Sequence, residues 1–381
     1  MVQRGIDFQA EGLLDGLDGD QRGERLALLR HLESEGVPLR EIRRRSQAGT
    51  LIFGTADRVL GEDTRMTVRE VSTLSGVDVE MLNAAHRAMG LPVPDADEAE
   101  YTDADLRSAR MINVARAAGL SDDDLLELLR VLGRGLWGAA EALRELPMKL
   151  VLRPGMSERD LADAYARVVA ELHPLLDPLM SNMLTLHLRH AAQSEVISEM
   201  ERRGGDLPGS REVAVCFADL VGFTRIGEEV PPLELGRLAM RLDAIAADIA
   251  RAPVRLVKTI GDAAMLTSPD PQALLDSALA LIAAADSEGE DFPQLRAGAA
   301  LGAALPRAGD WYGRPVNIAS RVTSIARPGS LLAEGALHDA ARESYRWSFA
   351  GERRLRGVRG AVPLFRARAL AEDPAPTAPR I

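Results

Sequence analysis

Arg211 to Thr224, REVAVCFADLVGFT, is the stretch whose reading decides the fold of the second half of the chain. Val213, Val215 and Phe217 alternate with Glu212, Ala214 and Cys216, the period-two pattern of a short β-strand. The strand ends at Asp219, and Gly222 then supplies a tight turn into a helix-like segment. A carboxylate at a strand end, beside a turn whose backbone N–H groups point outward, can hold a metal-bound triphosphate. The same aspartate can equally be a solvated cap on the helix that follows.

Two further stretches work outward from the first. Arg255 to Thr267, RLVKTIGDAAMLT, reads as two short apolar strands joined by an Ile260-Gly261-Asp262 turn. That hairpin would present Asp262 beside the end of the first strand, near Asp219, and two converging carboxylates suit a two-metal site. In Asp310 to Val322, DWYGRPVNIASRV, Gly313 turns the chain and Pro315 can open a helix. Asn317 and Arg321, four residues apart, then share one helical face.

FADLVGFT, KTIGD and DWYGRPVNIASR together resemble the catalytic motifs of the class III nucleotidyl cyclases, in order and in spacing, over residues 210–368. The order of the whole chain is also similar to soluble members with a long N-terminal regulatory domain. The resemblance implies an α+β chain: an all-helical N-terminal regulatory domain, then a ferredoxin-like βαββαβ class III cyclase domain. The pattern after Arg211 agrees, with strands and helices alternating as strand, helix 231–250, hairpin 254–267, helix 271–286, strand 295–304, helix 315–326 and strand 330–333. A terminal antiparallel pair, 345–350 and 362–368, completes an expected antiparallel sheet with helices on one face.

For an adenylyl cyclase of this family the resemblance assigns roles residue by residue. Asp219 and Asp262, helped by the Leu220 carbonyl, would hold two divalent cations, Mg²⁺ or Mn²⁺. Asn317 would position the ribose, and Arg321 would stabilise charge on the transferring phosphoryl group. Lys258 would donate to adenine N1 and Asp310 would accept from the 6-amino group of ATP. Phe223 and Thr224 of the first motif are counted on the substrate side, and Arg356, in LRGVRG, falls where the family places a lysine on the terminal phosphates. The segment between Leu301 and Gly313 is shorter than is usual in the family. Asp310 is nevertheless the one acidic residue between Asp291 and Glu334. Taken singly, Lys258 is a solvated strand end, Asn317 a helix cap and Arg321 an ion-pair partner; jointly the positions fit one substrate. In this family the metal carboxylates come from one subunit and the base-reading and transition-state residues from the other. A chain carrying each set once is therefore expected to be a homodimer.

Composition bounds the rest. The 381 residues are enough for two domains with cores of their own. The single cysteine, Cys216, cannot form an intrachain disulfide, and no apolar run approaches the roughly 20 residues of a membrane helix. Both point to a cytoplasmic protein with no membrane span. From Arg211 onward there are 21 acidic and 21 basic residues, against 36 acidic and 25 basic before it, so the whole net charge of −11 lies in the N-terminal half. That half is a poor electrostatic match for nucleic acid.

Within it, 8–18, 21–35, 38–47 and 51–60 carry helical apolar spacings, including a Leu26, Leu28, Leu29, Leu32 stripe. Residues 66–135 resemble the helix-turn-helix head of MerR-type regulators, with Gly76 at the turn and YTDADL as the most suggestive piece. Its 13 acidic and 7 basic residues between Arg65 and Arg130 disfavour DNA reading. A further amphipathic helix spans 157–170, and Pro174 and Pro178 are expected to interrupt the pattern. Leu175 to Leu188 is very apolar: core, dimer surface, or pocket for an apolar small-molecule effector. A helix over 181–203 leads to a boundary at Asp206–Ser210. The expected division is thus 1–180 regulatory, 181–210 linker helix and boundary, 211–370 catalytic, and 371–381 a disordered tail. Five of the six histidines lie in the acidic half, and His187 and His190, three apart on the linker helix, are candidates for a regulatory switch. The competing functional readings are a degenerate cyclase fold serving as a dimeric sensor and a MerR-like DNA-binding regulator. A diguanylate cyclase is excluded by the absence of GGDEF.

Overall fold

The computed structural model describes residues 6–61, 65–194, 209–289 and 291–370. The chain divides into two compact units, Met1–Val196 and Ile197–Ile381. The first contains α1 (Gly19–Ser34), α2 (Leu39–Ala48), α3 (Gly54–Leu60), α4 (Val68–Ser75), α5 (Val79–Met89), α6 (Asp103–Ala117), α7 (Asp122–Val151) and α8 (Glu158–Ser194). The second runs β1 (Arg211–Leu220), α9 (Phe223–Glu229), α10 (Pro232–Ile249), β2 (Arg255–Ile260), β3 (Ala263–Ser268), α11 (Pro271–Ser287), β4 (Leu295–Arg307), β5 (Asp310–Gly313), α12 (Arg314–Ile325), β6 (Leu331–Glu334), α13 (Gly335–Ala340), β7 (Tyr345–Arg354) and β8 (Ala361–Ala369).

β1 is the centre of the second unit. It pairs antiparallel with β3 on one side and β4 on the other, in the sheet order β2-β3-β1-β4-β6-β8-β7, with β5 folded back on β4. The alternation in REVAVCFADL is therefore small against large, since both faces of the strand are covered. Ala214, Cys216, Ala218 and Leu220 pack in one core with Leu242 and Ile245 of α10 and Leu274, Leu281 and Ile282 of α11. Val213 and Val215 pack in a second core with Ile318, Ala319 and Val322 of α12. Burial pushes the Cys216 thiol up to about 12, so this free cysteine is a packing residue.

The expected antiparallel sheet with helices on one face is corrected in two respects. β4 and β6 are parallel neighbours, and adjacent parallel strands need a crossover, which β5 and α12 supply. That crossover lays α12 on the face opposite α10 and α11, so helices cover both faces. The close seat of α12 needs a glycine below it: a Cβ at Gly298 of β4 would lie 2.2 Å from the Thr323 nitrogen. Thr323 Oγ1 also donates to the Phe217 carbonyl, 3.1 Å away, tying α12 to β1.

In the first unit the leucine stripe is core, with Leu28, Leu29 and Leu32 fully buried. Residues 8–18 are a run of turns, not the expected helix; Gly12 and Gly16, at φ 72° and 74°, break it, while Phe8, Leu13 and Leu14 still reach the core. α4, a Gly76 turn at φ 75°, and α5 form the helix-turn-helix, and Thr67 with Glu70 and Ser121 with Asp124 close capping boxes on α4 and α7. Pro174 and Pro178 do not interrupt α8. Four apart, they remove two hydrogen-bond donors from one side of a 37-residue helix and leave the other turns closed. The helix is thus continuous across the expected boundary at 180, and 195–208 and 371–381 lie outside the described residues. Leu175, Leu179, Met183, Leu184, Leu186 and Leu188 are exposed on α8, so this segment is not core within its unit. Among the described residues no helix is long and apolar enough to cross a membrane.

Candidate active site

Strand register places the acidic pair. Asp219, near the end of β1, lies opposite Ala263 of β3 and opposite Arg296 of β4. The β2–β3 turn, with Gly261 at φ 59°, carries Asp262, whose backbone carbonyl accepts the Leu220 N–H at 3.0 Å. Burial holds the Asp262 carboxyl above the usual carboxylate range, and the charge of Asp219 and a hydrogen bond with it push the same way. The two expected metal carboxylates are therefore neighbours at the end of β1, with Leu220 buried between strand and turn.

Arg296 was not legible as a site residue. Its guanidinium donates to Asp219 Oδ2 through Nη2 at 2.6 Å and Nε at 3.0 Å, and its Nη1 donates to the Ser324 carbonyl. A lone charge inside the apolar strand LRAGAALGA was the available signal, since a buried cation on a central strand needs a carboxylate beside it. Its charge also limits the repulsion between Asp219 and Asp262.

Two neighbouring hard carboxylates, partly buried and sharing the one guanidinium of Arg296, keep a net negative charge that fits divalent cations of the Mg²⁺ or Mn²⁺ type. Among the described residues no third acidic, histidine or cysteine ligand joins them. That count suits an ion whose remaining ligands are substrate oxygens and water.

The expected base-reading pair is assembled from distant sequence. Lys258 of β2 and Asp310 at the start of β5, 52 residues apart, form a direct ion pair through Lys258 Nζ and Asp310 Oδ2. Asp310 Oδ1 also accepts the Trp311 N–H at 2.9 Å, which fixes the carboxylate. Asn317 and Arg321 lie on α12 one turn apart, on the side away from the buried Ile318, Ala319 and Val322. Asn317 is exposed and Arg321 half-buried, and among the described residues the Arg321 guanidinium has no carboxylate partner.

Other expected positions are not gathered in. Phe223 opens α9 with its ring packed against the core, and Thr224 beside it is exposed. Arg356 is exposed in the β7–β8 connection, at the opposite edge of the sheet from β2 and β3. His187 and His190 are exposed on α8, in the other unit. In the regulatory unit His31 lies 2.8 Å from Asp163 and His86 lies 3.3 Å from Asp105, while in the catalytic unit the buried His338 lies 2.9 Å from Asp339 and stacks on Phe365. Burial pushes the His86 imidazole down, but its bonds to Asp105 and to the Pro92 carbonyl outweigh that and hold it above its ordinary value.

Residues 6–192 match the family described as the adenylate cyclase regulatory domain, and residues 207–366 match the adenylate and guanylate cyclase catalytic domain. The pH-sensitive adenylate cyclase MT1302 of Mycobacterium tuberculosis is 43% identical over 96% of this chain and 94% of its own length. The chain belongs to the adenylate cyclase family. An adenylate cyclase of Streptomyces griseus is 32% identical over 73% of this chain and 69% of its own length. Among solved structures, the adenylyl cyclase CyaB from P. aeruginosa is 20% identical, covering 44% of this chain and 99% of that one, with a TM-score of 0.40. The family thus spans both units of this adenylate cyclase, and the carboxylate pair, the Lys258–Asp310 pair and α12 all fall within its catalytic domain.

Proposed function

We propose that this adenylate cyclase converts ATP to 3′,5′-cyclic AMP and pyrophosphate at sites shared across a homodimer. The observation that carries the reading is the Lys258–Asp310 pair, one donor and one acceptor held side by side. Adenine offers the complementary edge, an acceptor at N1 and a donor at the 6-amino group; guanine offers the reverse. Each group satisfies the other until a base replaces it, so a wrong base leaves a half-buried charge unpaired. Arg321 is the cation for charge that develops at the α-phosphate, and Asn317, one turn away, orients the ribose. Two divalent cations held by Asp219, Asp262 and the Leu220 carbonyl would activate the 3′-hydroxyl and neutralise the triphosphate. Arg296 holds Asp219 in place and its charge offsets the repulsion between the two carboxylates.

The shared site is supported by the inventory of the chain. Each set occurs once, and Arg321 faces no acid of its own chain among the described residues. The N-terminal unit is read as a brake released on acidification, in keeping with the pH-sensitive relative, with His187 and His190 as candidates for the switch. The exposed leucines of α8 are a place for a second copy or an apolar effector. A cytoplasmic address follows from the need for ATP.

The test is purified protein incubated with Mn²⁺ and ATP and assayed for cyclic AMP. Product formation from ATP but not from GTP is expected. Absence of product with either nucleotide would leave a degenerate fold as the reading.

A further inference from the structure

The N-terminal unit is acidic overall, and many of its arginines are tied to carboxylates: Arg25 to Glu158, Arg43 to Glu11, Arg45 to Glu41 and Asp57, Arg116 to Asp122. A basic cleft of about 240 Å³ around Arg40, Arg44 and Arg45 is neutralised in this way by Glu41, Asp57 and Glu100. Arg87, Arg130 and Arg134 differ. All three are exposed and form no ion pair among the described residues, and they line one open cleft of about 390 Å³ with Trp137 and the last turn of α5.

The cleft has a built geometry. Arg130, Gly133, Arg134 and Trp137 are spaced i, i+3, i+4, i+7 and so share one face of α7. Gly133 presses that face onto α5, because a Cβ there would stand 2.5 Å from the Met89 carbonyl oxygen. The floor is therefore backbone, and the walls are three guanidiniums and an indole that is 59% exposed. The volume lies within the roughly 300–1,000 Å³ of small-molecule sites. Guanidinium forks match phosphate oxygens, and an exposed indole is a stacking platform for a planar ring. The α5 C-terminus brings a partial negative charge, about half a unit, which three arginines outweigh. Duplex DNA fits poorly: α5 offers only His86 and Arg87 as basic groups, and His86 is turned to Asp105 and the Pro92 carbonyl.

We propose that this cleft binds a planar organic phosphate of the nucleoside diphosphate class, with its phosphates on Arg87, Arg130 and Arg134 and its ring on Trp137. The site lies wholly within the regulatory unit and does not depend on the catalytic reading.

The experiment uses the full chain carrying Trp311→Phe and Trp347→Phe, which leaves Trp137 as the one tryptophan. Titration with ADP should change its fluorescence saturably, and Arg130→Ala with Arg134→Ala should weaken binding on the order of a hundredfold. Both arginines are exposed, so the double variant keeps its core, which circular dichroism checks. Pyrophosphate, which has the charge but no ring, should bind roughly tenfold more weakly than ADP. Three results would overturn the proposal: no saturable change at millimolar ADP, a change that survives the arginine substitutions, or a signal that follows protein dilution without ADP and so marks a contact between copies.

Discussion

The two units complete themselves in opposite ways. In the catalytic unit both sheet faces are covered and β1 is buried from Val213 to Cys216, yet Arg321 and Asn317 face no partner in their own chain among the described residues. In the regulatory unit many charged groups close on one another, as Arg25 does on Glu158 and His31 on Asp163, while Arg87, Arg130 and Arg134 form no ion pair among the described residues and α7 and α8 leave Leu128, Leu136, Leu175, Leu184 and Leu188 exposed. One unit has a finished core and an unfinished site; the other has many closed ion pairs, one unpaired arginine cluster and unfinished apolar surfaces. The contrast agrees with the proposed function, in which the first unit takes a second copy and a nucleotide, and it marks the apolar surfaces of the second as the place for whatever covers them.

The sharpest way to break this contrast is at Arg296. If the guanidinium organises the acidic pair, Arg296→Ala leaves Asp219 and Asp262 facing each other without it. Cyclase kcat/KM should fall roughly 100- to 1,000-fold, a loss typical of removing one aligned charge from a reacting site. A loss under about threefold would reduce Arg296 to a strand-packing residue.

A smaller effect is expected at the base. Lys258→Glu with Asp310→Cys reverses one hydrogen bond and deletes the other, and ATP turnover should drop roughly 10- to 100-fold. Turnover of ATP at the wild-type rate in that double variant would show that these residues do not read adenine.

The smallest effect lies in the regulatory unit, at the clasp between α5 and α6. The His86 value is raised by folding, so its contribution is fully present below the unfolded value near 6.5 and fades as pH climbs through the folded one. Asp105 is held low by His86 and Thr102 despite burial, so it stays charged across that window. His86→Gln should cost about 1 kcal/mol at pH 6 and less at pH 8. The readout is amide exchange of α6 in the variant relative to wild type at each pH. An equal cost at both would mean that the pair is indifferent to protonation.

These three positions also show what sequence could reveal. The positions of Asp219, Asp262, Asn317 and Arg321 at a strand end, a hairpin turn and a helix face were readable from local pattern, while their roles came from the family resemblance. Lys258 and Asp310 needed the family resemblance, since 52 residues separate them and only the β4–β5 fold-back joins them. Arg296 escaped because its meaning lies in register with β1, and register between strands 77 residues apart has no local signature. In the helical half, Leu28 and Leu184 look alike in sequence. One is buried and one exposed, because a leucine stripe does not record which face finds a neighbour. The parallel β4–β6 pair and the run of α8 through Pro174 and Pro178 were misjudged for a related reason: each is decided by packing beyond the local motif.

The central claim is that one site is made by two copies of this chain, and mixed dimers test it most directly. Asp219→Ala and Arg321→Ala homodimers should each be inactive in the cyclic AMP assay, since every site lacks one essential group. After mixing and subunit exchange, half the dimers pair one variant with the other and hold one intact site of two. Activity should then return to about a quarter of the wild-type level. No recovery, with exchange demonstrated independently, would contradict the shared site.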